Sequence, residues 1–280
     1  ALVHDDIIDK ADERRGMPTP HRTLANYHTA QSWIGSSTDF GRHSAILVGD
    51  FLFSAATAAA DEQALTLRED CARAFTRRFA DMHAEVALGQ YLDITAEQTP
   101  LDPARTDALS MSDSLKVALH KSAHYSVVHP ALLGAICGAS SFDGVATLLD
   151  VLETILTPWG LAFQLRDDDL GVFGDPAVTG KPAGDDLREG KRTALLALTW
   201  EASSPDERRA LTDVLGVAEA SARQIAAATE IVERNGRAAH EAEIARLVAD
   251  GEAALATCDF DEDARAMLRE LCAILTARRA

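Results

Sequence analysis

The sequence contains few aromatic and few basic residues, and these shortages limit its fold class and its possible partners. Phe, Trp and Tyr together make up 5% of the 280 residues. β-Sandwich cores draw on such residues, so the composition favours helices. Lys and Arg number 27 against 44 for Asp and Glu, which gives a formal net charge of −17. Because phosphate backbones and anionic lipid surfaces repel such a chain, we expect neither a nucleic acid nor a membrane surface as its main partner.

Cysteine is also scarce, and long apolar runs are missing. The four cysteines are Cys71, Cys137, Cys258 and Cys272. No two of them have C-x-x-C spacing, so the sequence suggests neither a zinc site nor a redox pair and favours reduced thiols in a cytoplasmic protein. The best apolar run, 45–53, is interrupted by Asp50 and falls well short of the roughly 18 residues of a membrane span. We therefore predict no membrane span.

Helical periodicity dominates what is present. Apolar residues make up 47% of the chain and recur at helical spacing, whereas alternating strand patterns are missing. The spacing predicts helices over 42–62, 66–97, 103–111, 113–138, 142–173, 193–202, 206–215, 217–235, 237–256 and 261–278. Irregular structure is expected at 15–21, 99–102 and 174–190, which carry glycine or proline. None is long enough for a linker, so we predict one all-α domain, a multi-helix bundle over residues 1–280.

Acidic side chains cluster at the start of the chain. On a helix, Asp5 and Asp9 share one face and Asp6 flanks them. Such carboxylates repel one another unless a cation neutralises them, and Mg²⁺ suits oxygen ligands while also binding phosphates. Arg14 and Arg15 follow, and paired arginines bind phosphate well. The alternatives are a solvated helix end and arginines that neutralise Asp12 and Glu13.

A second acidic cluster, Asp167–Asp169, ends the long apolar helix at 142–173. Consecutive residues fan out around a helix, so only two of the three carboxylates can share a face. The following loop contains Lys181, Asp185, Asp186 and Lys191 together with several glycines. Lysine is a usual phosphate partner and glycine permits close backbone approach, although a charged surface loop would look the same.

Polar residues also interrupt apolar helices in the middle of the chain. Lys121 and Ser122 lie in one such helix, and Gln90 and Asp93 in another. A lysine in this position either extends to the surface or meets an anion. Buried polar groups need partners, so these residues suggest a polar cavity or a satisfied hydrogen bond in the core.

Taken together, these motifs resemble those of the trans-isoprenyl diphosphate synthases, or polyprenyl synthetases, and in particular a bacterial geranylgeranyl diphosphate synthase. The matching segments are DDIID (5–9), RRGMPTPH (14–21), LVGDFLF (47–53), GQYLD (89–93), KSA (121–123), FQLRDDDLGVFGD (163–175) and GKPAGDDLREGKRT (180–193). A lone D-D-x-x-D is a weak signal, whereas seven segments in the family's order over most of the chain are specific.

The resemblance implies an all-α bundle around a central cavity, usually a homodimer, that joins isopentenyl diphosphate to an allylic diphosphate. It implies Mg²⁺ held by the two aspartate motifs, which are Asp5, Asp6 and Asp9, and Asp167 and Asp168. Arg14 would hold the allylic diphosphate and Arg15 the isopentenyl diphosphate. Lys121 and Lys181 would complete the leaving-group site, with Lys191 nearby. Ser122 and Gln164 would lie beside the forming carbocation.

The chain departs from the family pattern at two places. Position 171 is Gly where many members have Asp, and Asp169 is an extra carboxylate that could substitute in part. Members also carry about 80 residues before the first motif, so we expect that N-terminal helices are missing here and that these 280 residues alone are a poor catalyst. Ala1, four residues before Asp5, is small and would leave the cavity floor open, which favours a C20 product.

Three other functions compete with this one. A class I terpene cyclase also ionises an allylic diphosphate, but RRGMPTPH and GKPAGDDLREGKRT argue against it, because a cyclase has no second diphosphate to hold. A non-catalytic subunit that pairs with an active synthase would fit Gly171 and the expected missing N-terminus. A metal phosphohydrolase built on His4 and Asp5 would need further histidines in a pattern that the sequence lacks.

Overall fold

The computed structural model describes residues 1–175, 184–217 and 219–277, and these are almost entirely helical. The helices are α1 (Leu2–Ile8), α2 (Pro20–Ala30), α3 (Ser37–Ala64), α4 (Glu69–Gln98), α5 (Met111–Ala118), a π-helix (Leu119–Val128), α6 (His129–Gly138), α7 (Phe142–Phe173), α8 (Asp185–Glu189), α9 (Ala194–Ala202), α10 (Pro205–Thr212), α11 (Ala222–Asn235), α12 (Arg237–Ala256) and α13 (Glu262–Thr276). The predicted all-α fold class is confirmed.

A two-stranded hairpin joins α1 to α2. Its strands, β1 (Glu13–Arg14) and β2 (Met17–Pro18), pair antiparallel, with Arg14 opposite Met17. The two turn residues between them, Arg15 and Gly16, have φ angles of 56° and 72°. Two-residue hairpin turns of this kind need positive φ at both central positions, which Gly16 adopts without strain. The segment predicted to be irregular at 15–21 therefore contains a tight turn, the short strand β2 and the start of α2.

The described residues form two compact units, and the first is Ala1–Leu67. Within it, α1 and α2 both pack on α3. Both contacts are made at glycines of α3, because a Cβ at Gly41 would lie 2.2 Å from the His21 carbonyl oxygen and one at Gly49 would lie 2.2 Å from His4 Nε2. The glycines in LVGDFLF and in the preceding turn of α3 thus allow these helices to approach closely.

The second unit contains Arg68–Gly174 and the described residues from Gly184 onward. Its longest helix, α7, packs against α12 and the π-helix. Trp159 at its centre is fully buried and donates a hydrogen bond from Nε1 to the Val248 carbonyl at 3.2 Å. A second core contains Trp200 of α9 and Ile225 of α11. The prediction of one domain over residues 1–280 remains a prediction.

Several predicted element boundaries were wrong. The predicted helix at 103–111 is a 3₁₀ turn at Thr106–Ala108, and α2 was not predicted at all. Its start carries an ordinary signal, Thr19 followed by Pro20 at the first helical position. The helix predicted at 113–138 includes a π-helical segment, and the one predicted at 217–235 begins at Ala222, where Ser221 and Gln224 form a capping box.

Among the residues that the structure describes, two helices are long and apolar enough to cross a membrane by length and composition alone. In their most apolar 18-residue windows, 11% of α3 and 39% of α7 are buried. Core helices of globular proteins pass the same test, so this finding is weak support for a membrane span. The prediction of no span is not confirmed by it and remains a prediction.

Candidate active site

The first aspartate motif lies on α1 and is neutralised by an arginine from the hairpin. Arg14 donates from Nε to Asp6 Oδ1 at 2.6 Å and from Nη2 to Asp5 Oδ2 at 3.0 Å. The side chain of Asp6 is almost completely buried. Burial would lower the pKa of Arg14, but the hydrogen bond to Asp6 and the charges of Asp6, Asp5 and Asp9 raise it. Arg14 therefore remains charged and pairs with the motif rather than with Glu13.

Asp9 and Arg15, the other two predicted site residues of this segment, lie at the end of α1 and in the hairpin turn. Asp9 ends α1, and its N–H donates to the Asp5 carbonyl at 2.8 Å, so the two residues are one helical turn apart as predicted. Arg15 occupies the hairpin turn and is exposed. Because Arg14 is directed at carboxylates and Arg15 extends into solvent, the two adjacent arginines have separate environments.

The second motif centres on a buried carboxylate. Asp168 is 6% exposed, and Gln164, one helical turn earlier on α7, donates from Nε2 to Asp168 Oδ1 at 2.7 Å. Burial raises the pKa of the Asp168 carboxyl well above its usual value, and the negative charges of Asp186 and Asp167 raise it further. The Gln164 hydrogen bond and the Lys191 charge oppose these effects without cancelling them. Asp168 thus lies in surroundings where a bound cation would be stabilising.

Asp169, the extra carboxylate, has a structural environment of its own. It accepts from Arg237 Nε at 3.0 Å and from Arg237 Nη2 at 3.3 Å, and Arg166 lies 3.9 Å away. The Arg237 guanidinium also stacks 4.0 Å from the centre of the Phe173 ring. The Asp169 side chain therefore joins α7 to α12 instead of adding to the group around Asp168.

The space above Gly171 is occupied by Asp186. A Cβ at Gly171 would lie 2.0 Å from Asp186 Oδ2. Asp186 lies in the first turn of α8, and Lys191 Nζ is 3.5 Å from its Oδ1 and 2.6 Å from Glu189 Oε2. Where many family members carry a third aspartate, this chain thus places the carboxylate of Asp186. Sequence reasoning missed this arrangement, although a glycine at 171 followed by the acidic GDDL segment is a readable signal for it.

Lys121 and its neighbours lie at a close crossing of α4 and the π-helix. A Cβ at Gly89 would lie 2.3 Å from the Lys121 backbone nitrogen, so only glycine fits there. At this crossing Lys121 Nζ binds Asp93 Oδ2 at 2.5 Å. Of the two predicted roles for this lysine, it therefore meets an anion, and that anion belongs to its own chain. Ser122 follows on the π-helix and is partly buried.

One polar atom near this crossing lacks a protein partner. The amide nitrogen of Gln90 is buried and has no hydrogen-bond partner within residues 1–175, 184–217 and 219–277. Buried amide groups without partners are costly, so the position points to a ligand or an ordered water. Lys181, predicted to hold the leaving group, lies outside the described residues. The predicted site residues before Leu67 belong to the first unit and the others described here to the second.

Comparison with known proteins identifies the family. A family model described as polyprenyl synthetase matches residues 1–232. The chain belongs to the polyprenyl synthetase family. It is 39% identical to a geranylgeranyl pyrophosphate synthase from Corynebacterium glutamicum, solved with isoprenyl diphosphate and magnesium, with a TM-score of 0.87 over 99% of this chain and 75% of that one.

Other relatives of this polyprenyl synthetase family member carry related names. A geranylgeranyl diphosphate synthase from Saccharolobus solfataricus is 30% identical over 84% of this chain and 62% of its own length. A (2E,6E)-farnesyl diphosphate synthase from Mycobacterium tuberculosis is 30% identical over 100% of this chain and 70% of its own length. The chain spans 58% to 62% of the length of three curated relatives that it matches, those from Saccharolobus solfataricus, Aeropyrum pernix and Methanothermobacter thermautotrophicus.

The donor set around Asp168 fits a hard divalent cation. Carboxylate oxygens are the ligands that Mg²⁺ prefers, and one or two carboxylates plus substrate phosphates commonly complete its shell. Burial, followed by the negative charges of Asp186 and Asp167, raises the pKa of Asp168, and a bound cation would favour its ionised form. The first motif offers oxygens of the same kind, with Arg14 already on two of its carboxylates.

Proposed function

We propose that the chain catalyses head-to-tail prenyl transfer, in which isopentenyl diphosphate condenses with an allylic diphosphate and pyrophosphate is released. The observation that carries this proposal is the buried carboxylate of Asp168, held by Gln164 and flanked by Asp167 and Asp186, in a member of the polyprenyl synthetase family. Burial and the nearby carboxylates disfavour the ionised form of Asp168, and a metal ion carrying a diphosphate would stabilise that form.

In this proposal the cationic side chains hold two diphosphates. Arg14, released from part of its pairing with Asp5 and Asp6, binds the allylic diphosphate, and the exposed Arg15 binds isopentenyl diphosphate. Lys121, Lys181 and Lys191 surround the leaving pyrophosphate. Fixed cations are worth most where negative charge develops in the transition state, which here is the leaving oxygen of the breaking allylic C–O bond.

The remaining steps need no protein nucleophile. The C–O bond breaks with its electron pair on pyrophosphate, and the double bond of isopentenyl diphosphate attacks the allylic cation to form the new C–C bond. A proton then leaves the adjacent carbon and restores a double bond, with pyrophosphate as its acceptor. Ser122 and Gln164 lie beside the cation and direct oxygen dipoles toward it, while apolar neighbours exclude water.

Mg²⁺ is the proposed cofactor, and Asp5, Asp6, Asp9, Asp167 and Asp168 are its proposed ligands. When bound, it neutralises the diphosphate and makes pyrophosphate a better leaving group. We further propose that Asp186 assists Asp168 in place of an aspartate at 171, because its carboxylate fills that space. This arrangement removes the main reason for treating Gly171 as a sign of a non-catalytic subunit.

We also propose a homodimer in the cytoplasm. Helix α3 exposes large apolar side chains, among them Leu47 at 68% and Phe51 at 71%. Contiguous exposed apolar surface of this kind commonly marks an interaction site, and a second copy of the chain is the occupant that we propose. All four cysteines are free, and Cys71 and Cys272 are buried, which supports a reducing compartment.

The product that we propose is geranylgeranyl diphosphate, because Ala1 is small. Replacement of Ala1 by Phe should block the floor of the cavity and shorten the main product from C20 to C15. The measurement is the chain length of the dephosphorylated products, and Ala1→Ser serves as the matched control of small volume. An unchanged C20 product from the Phe variant would contradict the open-floor interpretation.

The function itself is tested by product analysis. The purified protein, as these 280 residues and in any longer natural form, is given Mg²⁺, labelled isopentenyl diphosphate and, in turn, dimethylallyl, geranyl and farnesyl diphosphate, and the dephosphorylated products are sized. A discrete linear C20 alcohol is expected from the more active form. Cyclic hydrocarbons would indicate a terpene cyclase instead. No incorporation by any form, with Mg²⁺ and substrate still bound, would favour a non-catalytic subunit.

A further inference from the structure

Three histidines surround one carboxylate in the second unit, in a group that the proposed reaction does not use. Glu85 of α4 lies at its centre. His120 and His124 of the π-helix each place Nδ1 2.6 Å from Glu85 Oε1, and His129 at the start of α6 places Nε2 2.7 Å from Glu85 Oε2. These contacts join three helical segments that are 35 to 44 residues apart in sequence.

The carboxylate of this group is a permanent anion. Burial alone would raise the pKa of Glu85, but the hydrogen bonds from His129, His120 and His124 lower it to about 2. Glu85 is therefore ionised throughout the physiological range. An ionised oxygen that accepts from two imidazoles at once is electron-rich and already held in position.

Three of the donor atoms converge closely enough to share one ion. One ligand atom from each of Glu85, His120 and His124 lies within 4.8 Å of the other two, and His120 Nδ1 and His124 Nδ1 both contact Glu85 Oε1. Two imidazole nitrogens and one carboxylate oxygen form a common donor set for zinc with an open fourth position, which water can take. For a metal ion to bind Nδ1 of both histidines, the proton of each neutral imidazole would move from Nδ1 to Nε2 by exchange with solvent, with small movements of the rings.

His129 has a different place in the group. Its side chain is 5% exposed, and its Nδ1 has no hydrogen-bond partner among the described residues. The proton therefore belongs on Nε2, where it is donated to Glu85 Oε2. His129 thus fixes the orientation of the carboxylate and leaves Oε1 directed at His120 and His124, as residues around a metal's ligands commonly do.

The group is reachable from solvent and is separate from the lysine of the proposed active site. The side chains of His120 and Glu85 are 33% and 22% exposed, so an ion has a route to the donor atoms. Lys121, next to His120 in sequence, binds Asp93. His120 and Lys121 thus contact different carboxylates of α4, Glu85 and Asp93. Their segment is a π-helix, a distortion that is frequent at functional sites.

We propose that Glu85, His120 and His124 bind a divalent transition-metal ion of the Zn²⁺ class, with His129 as a positioning residue. Imidazole nitrogen favours Zn²⁺, Cu²⁺ or Ni²⁺, whereas Mg²⁺ prefers oxygen. The site is therefore chemically distinct from the aspartate motifs, and it does not depend on the proposed prenyl transfer.

Cobalt titration in the presence of excess Mg²⁺ tests this site, since Mg²⁺ occupies the oxygen-ligand sites. The protein is stripped with a chelator and titrated with Co²⁺, and the visible absorption of nitrogen-coordinated Co²⁺ is recorded. One Co²⁺ per chain is expected, displaced by Zn²⁺. His124→Asn and Glu85→Gln should each weaken binding at least tenfold, and His129→Asn should weaken it by about tenfold.

The matched control is His43→Asn, because His43 is an exposed histidine on α3 in the other unit. It should bind Co²⁺ like the unmodified protein. Circular dichroism checks that each variant is folded, and a Zn²⁺-dependent rise in the melting temperature of the unmodified protein gives a readout that needs no variant. The proposal is overturned if the unmodified protein shows no such absorption and no Zn²⁺-dependent rise, or if His124→Asn binds Co²⁺ as tightly as His43→Asn.

Discussion

The two aspartate motifs of this chain carry similar residues in opposite electrostatic situations. In the first, Arg14 spans Asp5 and Asp6 with hydrogen bonds of 3.0 and 2.6 Å. In the second, the buried Asp168 lies among like charges, and its pKa is raised despite Gln164 and Lys191. In the first motif Arg14 stabilises the ionised carboxylates, whereas in the second burial and like charge disfavour the ionised form of Asp168.

This difference indicates that the two motifs respond differently to a cation. An ion that joins the first must share its carboxylates with Arg14 or displace it. An ion at the second relieves an existing repulsion, since charge buried without compensation is costly. We therefore expect the second motif to show the larger change in stability when a divalent cation binds.

Replacement of Asp168 and of the neighbouring Asp169 by Asn should have opposite effects on stability. Asp169→Asn is expected to lower the free energy of unfolding by about 2 kcal/mol, because it removes a buried partner of Arg237 and Arg166. The measurement is chemical denaturation at neutral pH without divalent cations. Asp150→Asn, an exposed substitution on the same helix, is the control. A stability equal to that of the control would show that Asp169 does not join α7 to α12.

Gly171 tests whether Asp186 has taken the place of a third motif aspartate. Gly171→Ala introduces a Cβ 2.0 Å from Asp186 Oδ2 and must move that carboxylate. Turnover under saturating substrate should fall about tenfold, equivalent to about 1.4 kcal/mol of barrier. Gly134→Ala is the matched control, since its Cβ would meet nothing within 4 Å. Equal turnover of the two variants would show that Asp186 has no role in the active site.

Asp168→Asn should raise stability in the absence of metal, by about 1 kcal/mol at neutral pH, because it removes a buried charge and can keep the Gln164 contact. The pH dependence follows from the raised pKa of Asp168. A carboxyl group whose pKa is higher in the folded than in the unfolded state destabilises the fold when it is ionised. This cost is complete at pH values above the folded-state pKa and absent at pH values below the unfolded-state pKa. The advantage of the variant should therefore shrink on acidification. An advantage that stays constant with pH would contradict the pKa assignment.

Local sequence spacing predicted those parts of the site that depend on one helix. Asp5 and Asp9 lie one turn apart, as helical geometry requires. For Lys121 the sequence left two roles open, contact with solvent or with an anion, and the structure shows the second. The partner of Lys121, by contrast, is Asp93, 28 residues earlier. No local pattern identifies such a partner, because it depends on the close crossing at Gly89.

Longer-range pairings were missed for the same reason. The sequence left His120, His124 and His129 without a role, and their convergence on Glu85 requires three helical segments to pack together. Likewise, the contact of Asp186 with Gly171 is accompanied by a hydrogen bond from the Gly184 N–H, at the start of α8, to the Val172 carbonyl, which no local pattern predicts. Helix α2 was missed because its polar composition obscures periodicity, although Thr19 and Pro20 mark its start.

The most direct test of the account is Mg²⁺ binding measured by calorimetry in the presence of inorganic pyrophosphate. The unmodified protein and Asp150→Asn should bind Mg²⁺ with the same affinity and gain thermal stability from it. Asp168→Asn should lose at least tenfold in affinity and most of that gain. If Asp168→Asn binds Mg²⁺ as tightly as the unmodified protein, Asp168 does not belong to a cation site and the proposed role of the second motif is wrong.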